Sequence, residues 1–112
     1  MPATFDADHV FAALADATRR DIVVRALDGR EGIVELAGHY PMSFAAVQKH
    51  VAVLEEAGLV RKRRRGREQL VSTDIETVRE AGRLLERLEV LWRERLDRFA
   101  DVLAEPPRGD IR

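Results

Sequence analysis

The residues with most to offer chemically lie between Met42 and Ser72, in the stretch MSFAAVQKHVAVLEEAGLVRKRRRGREQLVS. Arg61, Arg63, Arg64, Arg65 and Arg67 carry planar guanidinium forks whose donors match the oxygens of a phosphate. With Lys62 they place six basic residues and one acidic residue in positions 61–68. The rest of the chain is left with 13 of the 19 basic residues and 19 of the 20 acidic ones. A chain of formal net charge −1 that gathers its positive charge on one short stretch is built to meet a polyanion there. Just upstream, Gln48 and Lys49 offer a different chemistry. Glutamine pairs bidentately with adenine, and lysine reaches O6 and N7 of guanine. Ala45 and Ala46 leave room for close approach and suit contact with thymine methyls.

These groups need elements to hold them. Ser43 fits an N-cap, its hydroxyl accepting from an orphan N–H of a first helical turn. Val47, Val51 and Leu54 then recur at helical spacing and mark a buried stripe. At about 100° per residue, Ala45, Gln48 and Lys49 point away from that stripe, with Phe44 and His50 on its flanks. Phe44 is expected to pack at the core edge. His50 reads equally as a partly buried packing histidine or as a contact to the polyanion. Gly58 suits the C′ position that ends the helix. Leu59 and Val60 open an extended segment, Arg65-Gly66-Arg67 makes its turn, and Gln69, Leu70 and Val71 return.

Earlier in the chain, Val10, Phe11 and Leu14 give residues 7–15 an amphipathic helical pattern. Asp16 can cap a second helix over 17–27, with Ile22, Val23, Ala26 and Leu27 as its apolar face and Gly29 as its stop. A third short helix is expected at 33–37. Pro41 keeps the chain out of helix just before Ser43. Two short helices with a tight connection form a helix-turn-helix over 33–58, and the basic ribbon over 59–72 is its wing. The expected fold is mainly α with a small β-hairpin, a single winged helix-turn-helix domain over residues 1–112.

The last element, expected over 74–104, is the longest. Thr73-x-x-Glu76 suggests a capping box, with Asp74 as the competing cap. Apolar residues recur by threes and fours at Val78, Ala81, Leu85, Leu88, Trp92, Leu96, Phe99 and Leu103. Unbroken, such a helix is about 45 Å long, more than so small a domain can cover by itself. Its stripe is therefore expected to bury against a second copy of the chain. Gly82 is a weak point in the pattern, which leaves open whether the helix bends or breaks there, and Pro106-Pro107 is expected to end it.

Composition narrows the function further. The chain of 112 residues has no cysteine, which removes disulfides, thiolate metal sites and cysteine nucleophiles. No apolar run approaches the ~20 residues of a membrane span, and MPATFDADHV lacks the pattern of a signal peptide. A cytoplasmic protein is expected, with frayed ends at MPAT and PPRGDIR. Ser43 and Ser72 are the only serines, and His9, His39 and His50 are scattered. No nucleophile–base–orienter set follows, so no enzyme is expected. Cofactor and metal are likewise expected to be none.

Taken in order, these segments resemble the ArsR-type (ArsR/SmtB) winged helix-turn-helix regulators of bacteria. The resemblance rests on Phe11–Arg20 (FAALADATRR), Ala46–Val60 (AVQKHVAVLEEAGLV) and Arg64–Arg67 (RRGR). Trp92–Asp97 (WRERLD) resembles a metal-independent branch of that family. The family implies a homodimer formed by the first and last helices. Here these would contribute Val10, Phe11, Leu14, Leu85, Leu88, Trp92, Leu96, Phe99 and Leu103. It also implies a second helix of the motif lying in the major groove of a double-stranded DNA operator, and repression relieved by a signal. Ser43, Ala45, Ala46, Gln48, Lys49, His50 and the five wing arginines would then face DNA. Gln48 stands where serine is frequent, and Phe44 where a polar residue is usual, so the operator sequence does not carry over. Metal-sensing relatives use a third-helix cysteine pair or histidines and carboxylates of the last helix. Glu35-Leu36-Ala37-Gly38 has no thiol, and the last helix has no histidine. The effector stays open between a molecule at the dimer interface near Trp92 and a partner protein. A winged helix that binds protein instead of DNA is the competing reading, with Phe44 as its motive.

Overall fold

Side chains start four of the five α-helices. In this computed structural model, which describes residues 5–104, Asp6 accepts from the His9 N–H at 3.2 Å to open α1 (Ala7–Leu14). Asp16 accepts from the Arg19 N–H at 3.0 Å to open α2 (Ala17–Arg25). Ser43 accepts from the Ala46 N–H at 3.1 Å to open α4 (Phe44–Glu56). Asp74 accepts from the N–H groups of Glu76 and Thr77, at 3.0 and 3.4 Å, to open α5 (Ile75–Ala104). Each bond satisfies a donor that a helix start leaves orphaned. Only α3 (Ile33–Ala37), entered from Gly32, lacks a side-chain cap.

The capping box expected at Thr73 does not form. The Thr73 hydroxyl instead donates to the Val23 carbonyl at 2.6 Å, tying the end of the hairpin to α2. The second helix is also shorter than its pattern suggests. It tightens into a 3-10 turn at Ala26–Asp28 and ends at Gly29, with φ +65°. That shift swings Leu27 out to 56% exposure, so it is not part of the apolar face. Gly29 is also required by space, since a Cβ there would sit 3.0 Å from the Ser72 Cβ.

The hairpin pairs β1 (Val60–Arg65) with β2 (Glu68–Thr73), antiparallel, from Val60 opposite Thr73 to Arg65 opposite Glu68. Its far side is held as well. Leu70 bridges Gly32, and the Val71 N–H donates to the Glu31 carbonyl at 3.1 Å.

The chain divides into two compact units, the first ending at Ala81 and the second starting at Gly82. In the first unit α1 to α4 close over a core that includes Ile22, Leu36, Val47, Val51, Leu54 and Leu59. Among the described residues no polar or charged side chain is buried. Val10, expected at a subunit interface, is at 0% exposure inside this core, so it has no surface to offer a partner. Phe11 and Leu14 of the same helix are only partly buried. The described part of the second unit is helix, and the helical assignment runs through Gly82 without a break. Its Leu85, Leu88, Trp92, Leu96, Phe99 and Leu103 are all exposed in the single chain, Trp92 at 60% and Phe99 at 61%. The stop expected at Pro106-Pro107 and the frayed ends lie outside the described residues.

Candidate nucleic-acid interface

Helix α4 divides by face. Val47, Val51 and Leu54 are wholly buried, whereas Ser43, Ala45, Gln48 and Lys49 are exposed and Ala46 is intermediate. With the valines buried, Gln48 faces outward and its stem is free to extend. Phe44, expected at the core edge, is instead 42% exposed, in the first turn of the helix. His50 is part-buried, and it has a polar partner in Arg19, 3.3 Å away.

The wing separates into a pinned base and an open tip. Arg61 reaches Asp74 at 2.9 Å, and Lys62 reaches Glu55 at 3.4 Å, which ties β1 to the last turn of α4. Arg63, Arg64, Arg65 and Arg67 are exposed and make no ion pair among the described residues. Gly66, at φ +62°, closes the two-residue turn between the strands. A side chain would be strained at that angle. Thus four of the five wing arginines carry uncompensated charge, and Arg61 is already occupied by a carboxylate.

The helix-turn-helix connection is braced from α2 and from the segment before α3. The Tyr40 hydroxyl donates to Asp21 at 2.6 Å, and Arg25 donates to the same carboxylate at 2.9 Å. The Arg25 guanidinium lies 5.9 Å from the Tyr40 ring centroid. Burial and the Asp21 bond push the Tyr40 phenol well above its usual range, while those two donors hold Asp21 below the usual carboxylate value. His39 meets Glu31 at 2.7 Å. These contacts fix the entry to α4 without using a group from its exposed face.

Arg19 and Arg20 are the residues whose work the sequence pattern does not reveal. The Arg19 Nε donates to the Ala13 carbonyl at 2.7 Å and its Nη2 to Ala12 at 3.3 Å, while Arg20 donates to Leu14 at 2.8 Å. Both arginines therefore cap the C-terminus of a helix other than their own. An arginine pair just past an N-cap, five and six residues after a helix end, is the one available clue.

Among the described residues no group of three or more His, Cys, Asp or Glu is placed to hold a metal ion. No helix among them is long and apolar enough to cross a membrane.

A capped helix with one open face, a bracing helix before it and an arginine-tipped hairpin behind it define a winged helix-turn-helix protein. The chain belongs to the ArsR family of winged helix-turn-helix transcriptional regulators. It is similar to an ArsR-like transcriptional regulator from Rhodococcus sp. RHA1, with 32% identity, 88% of this chain and 92% of that one covered, and a TM-score of 0.77. It is 42% identical over 67 residues to the HTH-type transcriptional regulator Rv2034 of Mycobacterium tuberculosis. That match covers 60% of this chain and 63% of the relative, so less than two thirds of the relative's length is spanned. A homodimeric winged helix-turn-helix DNA-binding domain from Mycobacterium bovis shares the fold, with a TM-score of 0.58 at 22% identity over 84% of this chain and 92% of its own. No protein-family model matches the chain.

Proposed function

We propose that the protein is a homodimeric repressor that binds a double-stranded DNA operator. Its α4 lies in the major groove, and its wing lies on phosphates or in the adjoining minor groove. The observation that carries this reading is the unpaired charge of Arg63, Arg64, Arg65 and Arg67. Four guanidinium groups without carboxylates gather positive potential at one tip of a nearly neutral protein, which suits a polyanion. Gln48 and Lys49, exposed on α4, read base edges, while the arginines position the protein and supply the salt dependence. Dimerisation follows from the apolar α5 residues, which a second copy covers together with Phe11 and Leu14. No catalytic set is part of this reading, and the relieving signal acts on the dimer.

Selection of duplexes from fragmented host DNA, followed by titration at low salt and by light scattering, tests the whole reading. Saturable binding of two chains to one duplex is expected. Half-sites roughly one helical turn apart should be required. Full affinity for a lone half-site would refute the paired geometry. Phe44 supports a second reading, because an exposed aromatic ring at the mouth of α4 suits a protein partner as well. Absence of duplex binding at low salt, with capture of a defined protein that Phe44→Ala abolishes, would favour that reading.

A further inference from the structure

Arg19 links three elements: its backbone belongs to α2, and its guanidinium reaches α1 and α4. Its backbone sits in the first turn of α2, where its N–H is held by Asp16 at 3.0 Å. Its Nε and Nη2 take the terminal carbonyls of α1, Ala13 at 2.7 Å and Ala12 at 3.3 Å. Its Nη1 lies 3.3 Å from Nδ1 of His50, in the middle of α4. Guanidinium has donors only, so a hydrogen bond between them has His50 Nδ1 accepting and the ring proton on Nε2. His50 lies between Lys49 and Val51, next to the reading face.

We propose that Arg19 is a positioning residue that fixes the rotation of α4 against the end of α1. The spacing between two α4 helices in a dimer then follows the dimer contact. This rests on the reading of α4 as the groove-facing helix and of α1 as a dimer helix. The apolar contacts of Val47, Val51 and Leu54 hold α4 to the core but are tolerant of a small roll, because dispersion is not directional. A planar fork with two carbonyls on one edge and an imidazole on another is not tolerant of it. The Arg19 stem is part-buried, which limits its alternative rotamers. The Asp16 carboxyl is held below the usual value first by the Arg19 N–H. Asp16 thus keeps Arg19 in place from the backbone side, while the guanidinium does the coupling. Lysine could supply the charge but not the fork, so Arg19→Lys separates the two.

The test has two arms. In the free protein, nitrogen-15 spectra of the His50 ring are compared for wild type and Arg19→Lys. The wild-type ring should be held as the Nε2–H tautomer, and the variant ring should relax to a mixture, with the fold intact by circular dichroism. A ring signature unchanged in Arg19→Lys overturns the proposal whether or not any duplex binds. Should Arg19→Lys fail to fold, His50→Gln in a wild-type background replaces it, read by amide exchange of Ala12, Ala13 and the α4 backbone. Faster exchange at α1's end supports the coupling, and unchanged exchange overturns it.

The second arm uses duplexes selected by the wild-type protein, rebuilt with one base pair added or removed between half-sites. Wild type should lose about tenfold on each, comparable to the cost of a mismatched site. Arg19→Lys should bind all spacings within about twofold of one another, well inside the cost of a single mismatched base pair. Equal weakening at every spacing would reduce Arg19 to a stabilising residue and overturn the proposal. Failure of wild type to select any duplex, with the first arm positive, would instead remove the DNA reading and with it the spacing role.

Discussion

Arg65→Ala combined with Arg67→Ala should change the salt dependence of DNA binding more than the fold. Both side chains are exposed at the tip of the wing and make no ion pair, so their loss unseats nothing in the protein. Each phosphate neutralised adds about 0.9 to the steepness of log affinity against log salt on duplex DNA. Four open arginines per chain give eight per dimer and a wing contribution of about 7 if every head meets a phosphate. The double variant removes four contacts per dimer and lowers the steepness by about 3.6, so its disadvantage should shrink about 150-fold between ~50 and ~200 mM salt. Arg61→Ala is the internal control. Its guanidinium is already engaged with Asp74 at 2.9 Å, so its loss should change the steepness by less than about 1. The assay is fluorescence anisotropy with one selected duplex across a salt series. An unchanged slope in the double variant, or an equal drop with Arg61→Ala, would refute the division of the wing into a pinned base and an open tip.

Gln48→Ala should lower the preference for the selected site over a scrambled one by about 1–3 kcal/mol if its contact is bidentate, with little effect on scrambled duplexes, read by competition binding. Trp92→Glu should shift the dimer to monomer at micromolar concentration in sedimentation equilibrium, because it puts charge into the apolar α5 face; a dimer unchanged in strength would remove that face from the interface. Leu54→Ala should cost about 2–5 kcal/mol in urea unfolding, since the side chain is wholly buried among apolar neighbours. Asp16 sets an acid limb. Its carboxyl is held below the ordinary 3.8, first by the Arg19 N–H, so its contribution is present above that value and lost as pH falls through the folded pKa. Asp16→Asn should keep the cap and flatten that limb. His9 has the opposite sign: its pKa is raised above 6.5 chiefly by Asp6, so its contribution is full below 6.5 and fades as pH rises through the folded value.

Helix α4 was the most legible part of the chain. Ser43, the stripe Val47–Val51–Leu54 and Gly58 are all local signals, and each acts within a few residues of itself. The open face of Gln48 and Lys49 follows from the same period. Legibility ended where a side chain answers to a distant partner. Thr73 has the spacing of a capping box, but an acceptor fifty residues away takes its hydroxyl. Leu27 has the period of its helix, but the helix tightens one turn early and turns it outward. Val10 and Phe11 look alike as apolar residues of one short helix, and only the packing of α2 and α4 decides which is enclosed. Arg19 stands out only as half of an arginine pair past an N-cap, and no local period places its guanidinium on the end of another helix. The charge of the wing was plain, but the pairing of Arg61 with Asp74 depends on a hairpin register and a helix start meeting.

Four of the five α-helices begin on an acceptor that sits within three residues of the N–H it satisfies. Starting points so marked need no long-range partner to be found. The chain can therefore place its helices early and leave the search for tertiary order to a few rigid pieces. Such a topology belongs to the rapid end of folding rates. Speed of assembly is then a property of the helix starts rather than of the interior.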